Sequence, residues 1–146
     1  MSENLNKLFS PVHVVETLTA DKTVDVFDTG KVFMLSKADG LTVTLPAVTA
    51  ENMNGFRCTF IVKTALTSNT YTIVSGTDDK LLGLSVASSG ATASAMSELI
   101  GRDNIKLTPG AGNVVKAGDK IEVICNGSHF YVYAYVDSEA SVSFNT

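Results

Sequence analysis

The chain has 146 residues and a mass of 15.4 kDa, a length that corresponds to one domain. Apolar residues make up 45% of it, charged residues only 18%, and 17 Val, 16 Thr and 6 Ile make it rich in β-branched side chains; this composition excludes intrinsic disorder and does not suit a helical bundle. The net charge of −4, with two Arg in the whole chain, argues against binding to duplex nucleic acid because few side chains could neutralise phosphates.

The N-terminal segment differs in composition from the rest of the chain. Residues 1–11 are mostly polar, with Leu5, Leu8 and Phe9 as scattered apolar side chains. We predict that this segment forms an arm, or a short helix, that needs another surface on which to dock. Residues 12–146 are predicted to form a single β-sandwich domain.

Short strands separated by turn residues dominate from position 12 onward. Apolar and β-branched runs that alternate with polar residues predict strands at 12–19, 24–27, 31–35, 41–45, 56–63, 71–74, 81–86 and 104–107. About ten short strands at this spacing are typical of a sandwich. The predicted fold is therefore an all-β, antiparallel β-sandwich or jelly-roll-like domain, with a short N-terminal arm and at most one short helix.

One segment interrupts the strand pattern. Residues 87–97 are small, polar and low in complexity, and we predict a long loop or an edge excursion there. Residues 94–100 could form a short helix, which Ser94 would cap and Gly101 would end.

The final hairpin carries the strongest local signal. Asn126-Gly127 lies between two alternating runs, and this dipeptide is typical of a two-residue type I′ turn. A turn centred there pairs Val123 with Phe130 and places an almost wholly apolar set of side chains on one face. We predict that this face lies in the core.

The opposite face of the hairpin carries Tyr131, Tyr133 and Tyr135 in a row. Such a row can be a solvated sheet face that cross-strand pairs stabilise. It can also be a contact surface, because Tyr offers apolar area with a polar tip and is enriched at interfaces. Stacking of sugars on these rings is a third interpretation, which the absence of Trp disfavours.

Residues that could take part in catalysis or metal binding are few and scattered. Cys58 and Cys125 are isolated, so we predict two buried free thiols, with a disulfide across the sheets as the alternative, and no zinc site. The GLSVA run at 83–87 lacks the second glycine of a nucleophile elbow. We therefore expect no catalytic residue, no metal and no cofactor, and no apolar run is long enough to span a membrane.

Several segments together resemble a pattern of phage virion proteins. They are GKVFML at 30–35, LTVTLPA at 41–47, GFRCTFIV at 55–62, YTIV at 71–74, GDKIEV at 118–123, NG at 126–127 and FYVY at 130–133. This order resembles the β-sandwich structural domains of tailed bacteriophages, which occur in capsid-decorating (cement) proteins and in fibres. The similarity covers about residues 28–136.

The resemblance implies a structural role without catalysis. A single short domain with an arm suits a decoration protein on the outer capsid surface of the virion, made in the host cytoplasm. The expected partner is the major capsid protein, and the expected assembly is a homotrimer, with no nucleic acid and no membrane involved. Leu5, Leu8 and Phe9 of the arm and the three tyrosines are the expected interface residues. The alternatives are a short head or tail fibre domain that binds host surface glycans, and a free carbohydrate-binding module.

Overall fold

The structure is a computed structural model, and it describes residues 14–76, 81–88, 96–110, 115–138 and 141–145, except the side chains of 96–101. The predicted arm, with Leu5, Leu8 and Phe9, lies outside the described residues. Twelve strands are present in the described part. They are β1 (Val15–Leu18), β2 (Lys22–Thr23), β3 (Val32–Leu35), β4 (Leu41–Thr44), β5 (Asn54–Val62), β6 (Tyr71–Val74), β7 (Leu81–Ala87), β8 (Met96–Arg102), β9 (Asn104–Leu107), β10 (Lys120–Asn126), β11 (Phe130–Val136) and β12 (Val142–Asn145).

These strands form two sheets around one core, which confirms the predicted all-β, sandwich-like class. The larger sheet has seven strands in the order β1-β3-β5-β10-β11-β7-β8, and the smaller has five in the order β12-β9-β6-β4-β2. The inward side chains of both sheets meet in a single apolar cluster. Aromatic rings fill much of it: Phe33 and Phe60 stack with centroids 5.4 Å apart, and Phe56 meets Phe130 edge to face at 6.4 Å.

The strand directions differ from the antiparallel arrangement predicted from the sequence. From β1 to β6 the chain alternates between the two sheets. Each strand therefore pairs, in the same direction, with the strand two places earlier in the chain, which belongs to the same sheet. Four pairings are consequently parallel, and β7 with β11 is a fifth parallel pair among the ten pairings in the described residues. A parallel pair needs a long crossover connection, and here a strand of the opposite sheet takes that place.

The predicted strand at 24–27 is wrong. The strand β2 ends at Thr23, and Val26–Asp28 form a 3-10 turn. Asp25 and Asp28 cap this turn reciprocally: the Asp25 carboxylate accepts from the Phe27 N–H (2.9 Å), and the Asp28 carboxylate accepts from the Asp25 N–H (2.9 Å). An acidic pair at this spacing is a capping-box pattern. The cap favours the turn more strongly than the β propensity of Val24, Val26 and Phe27 favours a strand.

The predicted helix at 94–100 is also wrong. The segment Met96–Arg102 is the strand β8, which pairs antiparallel with β7 and forms one edge of the larger sheet. Of the loop predicted at 87–97, Ala87 belongs to β7 and Met96 and Ser97 belong to β8, while residues 89–95 lie outside the described residues. Pairing with the preceding strand β7 has overridden a weak local capping signal, as tertiary context commonly does.

The final hairpin is present, but its turn lies one residue further along than predicted. Val123 pairs with Val132, and the Asn126 N–H donates to the His129 carbonyl (3.2 Å), so Gly127 and Ser128 are the central residues. Gly127 has φ +86° and Ser128 has no positive φ, so the turn is not the predicted type I′ turn, which needs positive φ at both central residues. The resulting two-residue shift preserves which side chains share a face, so the predicted core face is confirmed.

Both cysteines are free and buried, as predicted. They lie on the core face of adjacent strands, Cys58 on β5 and Cys125 on β10. Burial raises the pKa of both thiols, so that the reactive thiolate is disfavoured.

A single buried hydroxyl joins two connections between the sheets. Tyr71 is fully buried on β6, and its hydroxyl donates to the Thr64 carbonyl (2.8 Å) and accepts from the Lys37 N–H (3.1 Å). It therefore links the connection that follows β3 to the connection that follows β5. Burial of this ring raises the pKa of the Tyr71 hydroxyl.

Tyr71→Phe should lower the free energy of unfolding by about 1–3 kcal/mol, because the partly buried Lys37 N–H and Thr64 carbonyl lose their hydrogen-bond partner. Equilibrium urea unfolding measures this difference. Tyr135→Phe is the matched control, since Tyr135 lies exposed on the opposite side of the larger sheet, and it should change stability by less than about 0.5 kcal/mol. Equal stabilities of the two variants would contradict the linking role of Tyr71.

Four charges close one end of the core beside the edge strand β1. Glu16 contacts Lys22 (3.0 Å) and Lys31 (3.1 Å), and both lysines also pair with Asp28. The hydrogen bond from Lys22 lowers the pKa of Glu16. Burial alone would raise the pKa of Asp28, but the hydrogen bonds from Lys31 and from the Asp25 amide lower it overall. An inward-pointing charge of this kind also discourages pairing of further strands at a sheet edge.

This cluster predicts a specific loss of stability in acid. Because both carboxyl pKa values are lowered by folding, their contribution is present above the ordinary carboxyl range and is lost as the pH falls below about 4. Lys31→Met should cost about 1–3 kcal/mol at neutral pH, since Asp28 stays buried with weaker pairing. The difference from the wild type should shrink toward zero at low pH.

Urea unfolding at several pH values between neutral and acid conditions tests this prediction. Lys63→Met is the control, because Lys63 is exposed and makes no ion pair within the described residues. A Lys31→Met difference that stays constant over the whole pH range would show that the cluster does not act through its charges.

Candidate docking surface

The outer face of the seven-stranded sheet, the side turned away from the smaller sheet, is unusually apolar. The strand registers define three transverse rows across β1, β3, β5, β10, β11 and β7, with sixteen outward positions. Eleven of these are apolar or aromatic: Val15, Val32, Met34, Ile61, Leu82, Leu84, Val86, Ile124, Tyr131, Tyr133 and Tyr135. A sheet face that meets only water normally carries polar side chains at these positions.

The structure brings the three predicted tyrosines together on this face. Each tyrosine has a cross-strand neighbour on β10 on one side and on β7 on the other. Tyr133 lies between Glu122 and Leu84, and Tyr135 lies between Lys120 and Val86. Tyr135 is 43% exposed, and the other two rings are half-buried. The tyrosines therefore form the β11 part of a wider apolar surface, rather than an isolated row.

The apolar neighbours of the tyrosines were not predicted as interface residues. Leu82, Leu84 and Val86 on β7 are outward-facing, while Leu81 in the same run faces the core. A strand that is apolar on both sides is typical of one covered on both sides. The continuous LLGLSV run at 81–86 carried this signal, but its outer side could be assigned only once β7 was known to pair with β11.

The few charges on the outer face largely compensate one another. The Lys120 ammonium lies 2.9 Å from the Glu122 carboxylate and 4.8 Å from the centroid of the Tyr135 ring. An ammonium over an aromatic face is attracted by the ring quadrupole. Arg57 is the remaining described charge on these rows, and its guanidinium has no ion-pair or hydrogen-bond partner among the described residues.

A shallow open depression of about 480 Å³ lies within this face, on β5, β10 and the start of β3. Gly30 and Thr59 leave room at its floor because their side chains are absent or short. Outward side chains of Val32, Arg57, Glu122 and Ile124 form its walls. The depression therefore combines apolar wall area with one unpaired cation.

Among the described residues, Phe27 has the most exposed large apolar side chain, at 88%. It lies in the middle of the 3-10 turn that replaces the predicted strand at 24–27. The turn is held firmly, because Asp25 caps it and Asp28 is paired with Lys22 and Lys31. No alternation pattern could have marked Phe27 as exposed, although the Asp25/Asp28 spacing indicated a turn there.

The described residues bear on two of the site types considered from the sequence, a metal site and the nucleophile-elbow serine. No group of three or more His, Cys, Asp or Glu side chains among them could hold a metal ion. Ser85, within the run that approaches a nucleophile elbow, lies in the middle of β7 and is buried. No helix in the described part of the chain is long and apolar enough to cross a membrane.

Comparison with known proteins adds no relative. No family model, no curated protein sequence and no solved structure matches this chain.

Proposed function

We propose that this chain is a virion structural protein that decorates the outer surface of a phage capsid. Its partner is the major capsid protein, its own assembly is a homotrimer, and its action is mechanical: many copies bridge neighbouring capsid subunits and stabilise the head. The sequence resemblance supports the virion assignment. The apolar outer face of the seven-stranded sheet is the structural observation that supports a permanent docked state.

The size of this face is sufficient for stable docking. With about 4.8 Å between strands and about 3.4 Å per residue along them, the sixteen outward positions cover about 500 Å² in projection. A standard protein interface buries about 800 Å² per partner, measured over side-chain contours that exceed the projected area. The outer face therefore approaches a standard interface even without a contribution from the arm.

The composition of the face also suits a docked subunit. Tyrosine rings with aliphatic neighbours are typical of interface cores, where charged residues are depleted. Lys120 and Glu122 neutralise each other within the face, so a partner would need to match little net charge. Avidity from several simultaneous contacts would strengthen the binding of a trimer to a repeating lattice.

Co-sedimentation with heads of the encoding phage that lack this protein tests the proposal. The wild type should pellet with the heads, and Tyr133→Ser should weaken binding at least about tenfold, because it removes a ring from the centre of the face. Tyr133→Phe keeps the ring and is the matched control, with nearly unchanged binding expected.

Two outcomes would contradict the decoration role. One is equal binding of the wild type and Tyr133→Ser to the heads. The other is no binding of the wild type to heads together with specific binding to a glycan array, which would favour the fibre-domain or carbohydrate-module alternative.

A further inference from the structure

Arg57 carries a charge that the outer face leaves uncompensated. It shares the three rows with two other described charges, Lys120 and Glu122, and these pair with each other at 2.9 Å. Glu122 lines the depression together with Arg57, yet no ion pair joins the two. Lys31, another charged residue at the depression, pairs with two carboxylates. Among the described residues, the depression therefore keeps one free positive charge at its wall.

Small neighbours keep the depression open beside this charge. Thr59 is the next outward position along β5, and Gly30 has no side chain. The Arg57 main chain is fixed there, because its N–H donates to the Thr29 hydroxyl (3.2 Å) and its carbonyl accepts from the Gly30 N–H (2.7 Å). A volume of about 150 Å³ holds a benzene molecule, so the depression of about 480 Å³ has room for a side chain from outside.

Docking of the outer face, as proposed above, would remove water from the Arg57 guanidinium. A charge taken out of water without a partner opposes binding, whereas a carboxylate joined to it by two parallel hydrogen bonds compensates that cost. The transverse row of Arg57 continues with Ile124, Tyr131 and Leu82, and none of these carries a negative charge. The compensating charge must therefore come from the partner.

We propose that the partner of the outer face presents an acidic side chain, Asp or Glu, which enters the depression and pairs with Arg57. This pairing rests on the proposed docking to the capsid protein and names the chemistry that the docking recognises. Because that partner is a protein, the anion that its side chains supply is a carboxylate, which the planar fork of a guanidinium matches. Lys120 neutralises Glu122 on β10, which limits the repulsion of an incoming carboxylate.

The pair would fix the orientation in which the protein docks. Apolar burial is non-directional, so the eleven apolar positions of the outer face do not by themselves select one orientation on a partner. Arg57 does select one, because in every other orientation its charge is covered without a counter-charge. Arg57 is therefore a specificity-determining residue on a surface whose remaining described charges neutralise each other.

Co-sedimentation with heads that lack the protein measures the effect of this charge. Arg57→Gln should weaken binding at least about tenfold, because it leaves the partner carboxylate unpaired. Lys106→Gln is the matched control: it removes the same charge from β9 of the smaller sheet, between the buried Ile105 and Leu107, and should bind like the wild type. Circular dichroism of both variants confirms that they are folded before binding is measured.

The salt dependence of binding gives a second readout. Salt screens the attraction between Arg57 and a carboxylate and leaves apolar contacts largely unaffected. Added NaCl should therefore weaken the binding of the wild type and of Lys106→Gln more than the binding of Arg57→Gln.

A double-mutant cycle identifies the carboxylate. Exposed Asp and Glu residues of the capsid protein are changed one at a time to Asn and Gln, and heads of each kind are tested with the wild type and with Arg57→Gln. One position should weaken wild-type binding about as much as Arg57→Gln does, and should weaken the binding of Arg57→Gln no further.

Equal head binding of the wild type and Arg57→Gln would overturn the proposed pair and leave the decoration role standing. A cycle in which no acidic position couples to Arg57 would overturn the pair as well. Heads that bind no wild-type protein at all contradict the decoration role itself, and the pair fails with it.

Discussion

The five-stranded sheet can cover only one face of the seven-stranded sheet against which it packs, and both faces of that larger sheet are apolar. The inner face supplies Phe33, Phe60 and their neighbours to the core. The outer face keeps eleven apolar or aromatic positions in three rows. Removal of apolar area from water is the dominant favourable term in association, so this imbalance favours a state in which a partner covers the outer face.

The way the chain winds explains how two such sheets share one core. Successive strands from β1 to β6 pass from one sheet to the other, which gives parallel neighbours in each sheet and places their inward side chains face to face. The ends of the sandwich need polar closure, because backbone groups in the connections cannot all join a ladder. Tyr71 supplies it where two connections meet, and the Glu16, Lys22, Lys31 and Asp28 cluster supplies it beside the edge strand.

Sequence periodicity predicted faces better than it predicted pairing. The alternation in 41–45, 56–63 and the final hairpin correctly separated core side chains from outer ones, because a two-residue alternation is a local property of an extended chain. The assignment of side chains to faces was also correct in the hairpin although the turn was predicted one residue too early, because the register shifted by two residues. The Asn126 side chain accepts from the Ser128 and His129 N–H groups, and a turn stabilised in this way leaves Gly127 as the first central residue. The dipeptide alone does not determine that choice.

Non-local features could not be predicted from the sequence. Parallel pairing depends on which sheet each intervening strand joins, and β8 exists because β7 offers it an edge. The tyrosines were recognised as a candidate surface, but the β7 residues beside them required the β7–β11 register. Phe27 was assigned to a strand, and only the cap between Asp25 and Asp28 turns it into an exposed side chain.

The central claim is that the outer face of the seven-stranded sheet is covered when the protein is assembled. Hydroxyl-radical footprinting with mass spectrometry, on the free protein and on the head-bound protein, measures this directly. The account predicts that oxidation of Tyr131, Tyr133 and Tyr135 falls strongly on binding, while Tyr71, which is fully buried in the free chain, stays unreactive in both states. Unchanged oxidation of the three outer tyrosines on bound heads would contradict the account.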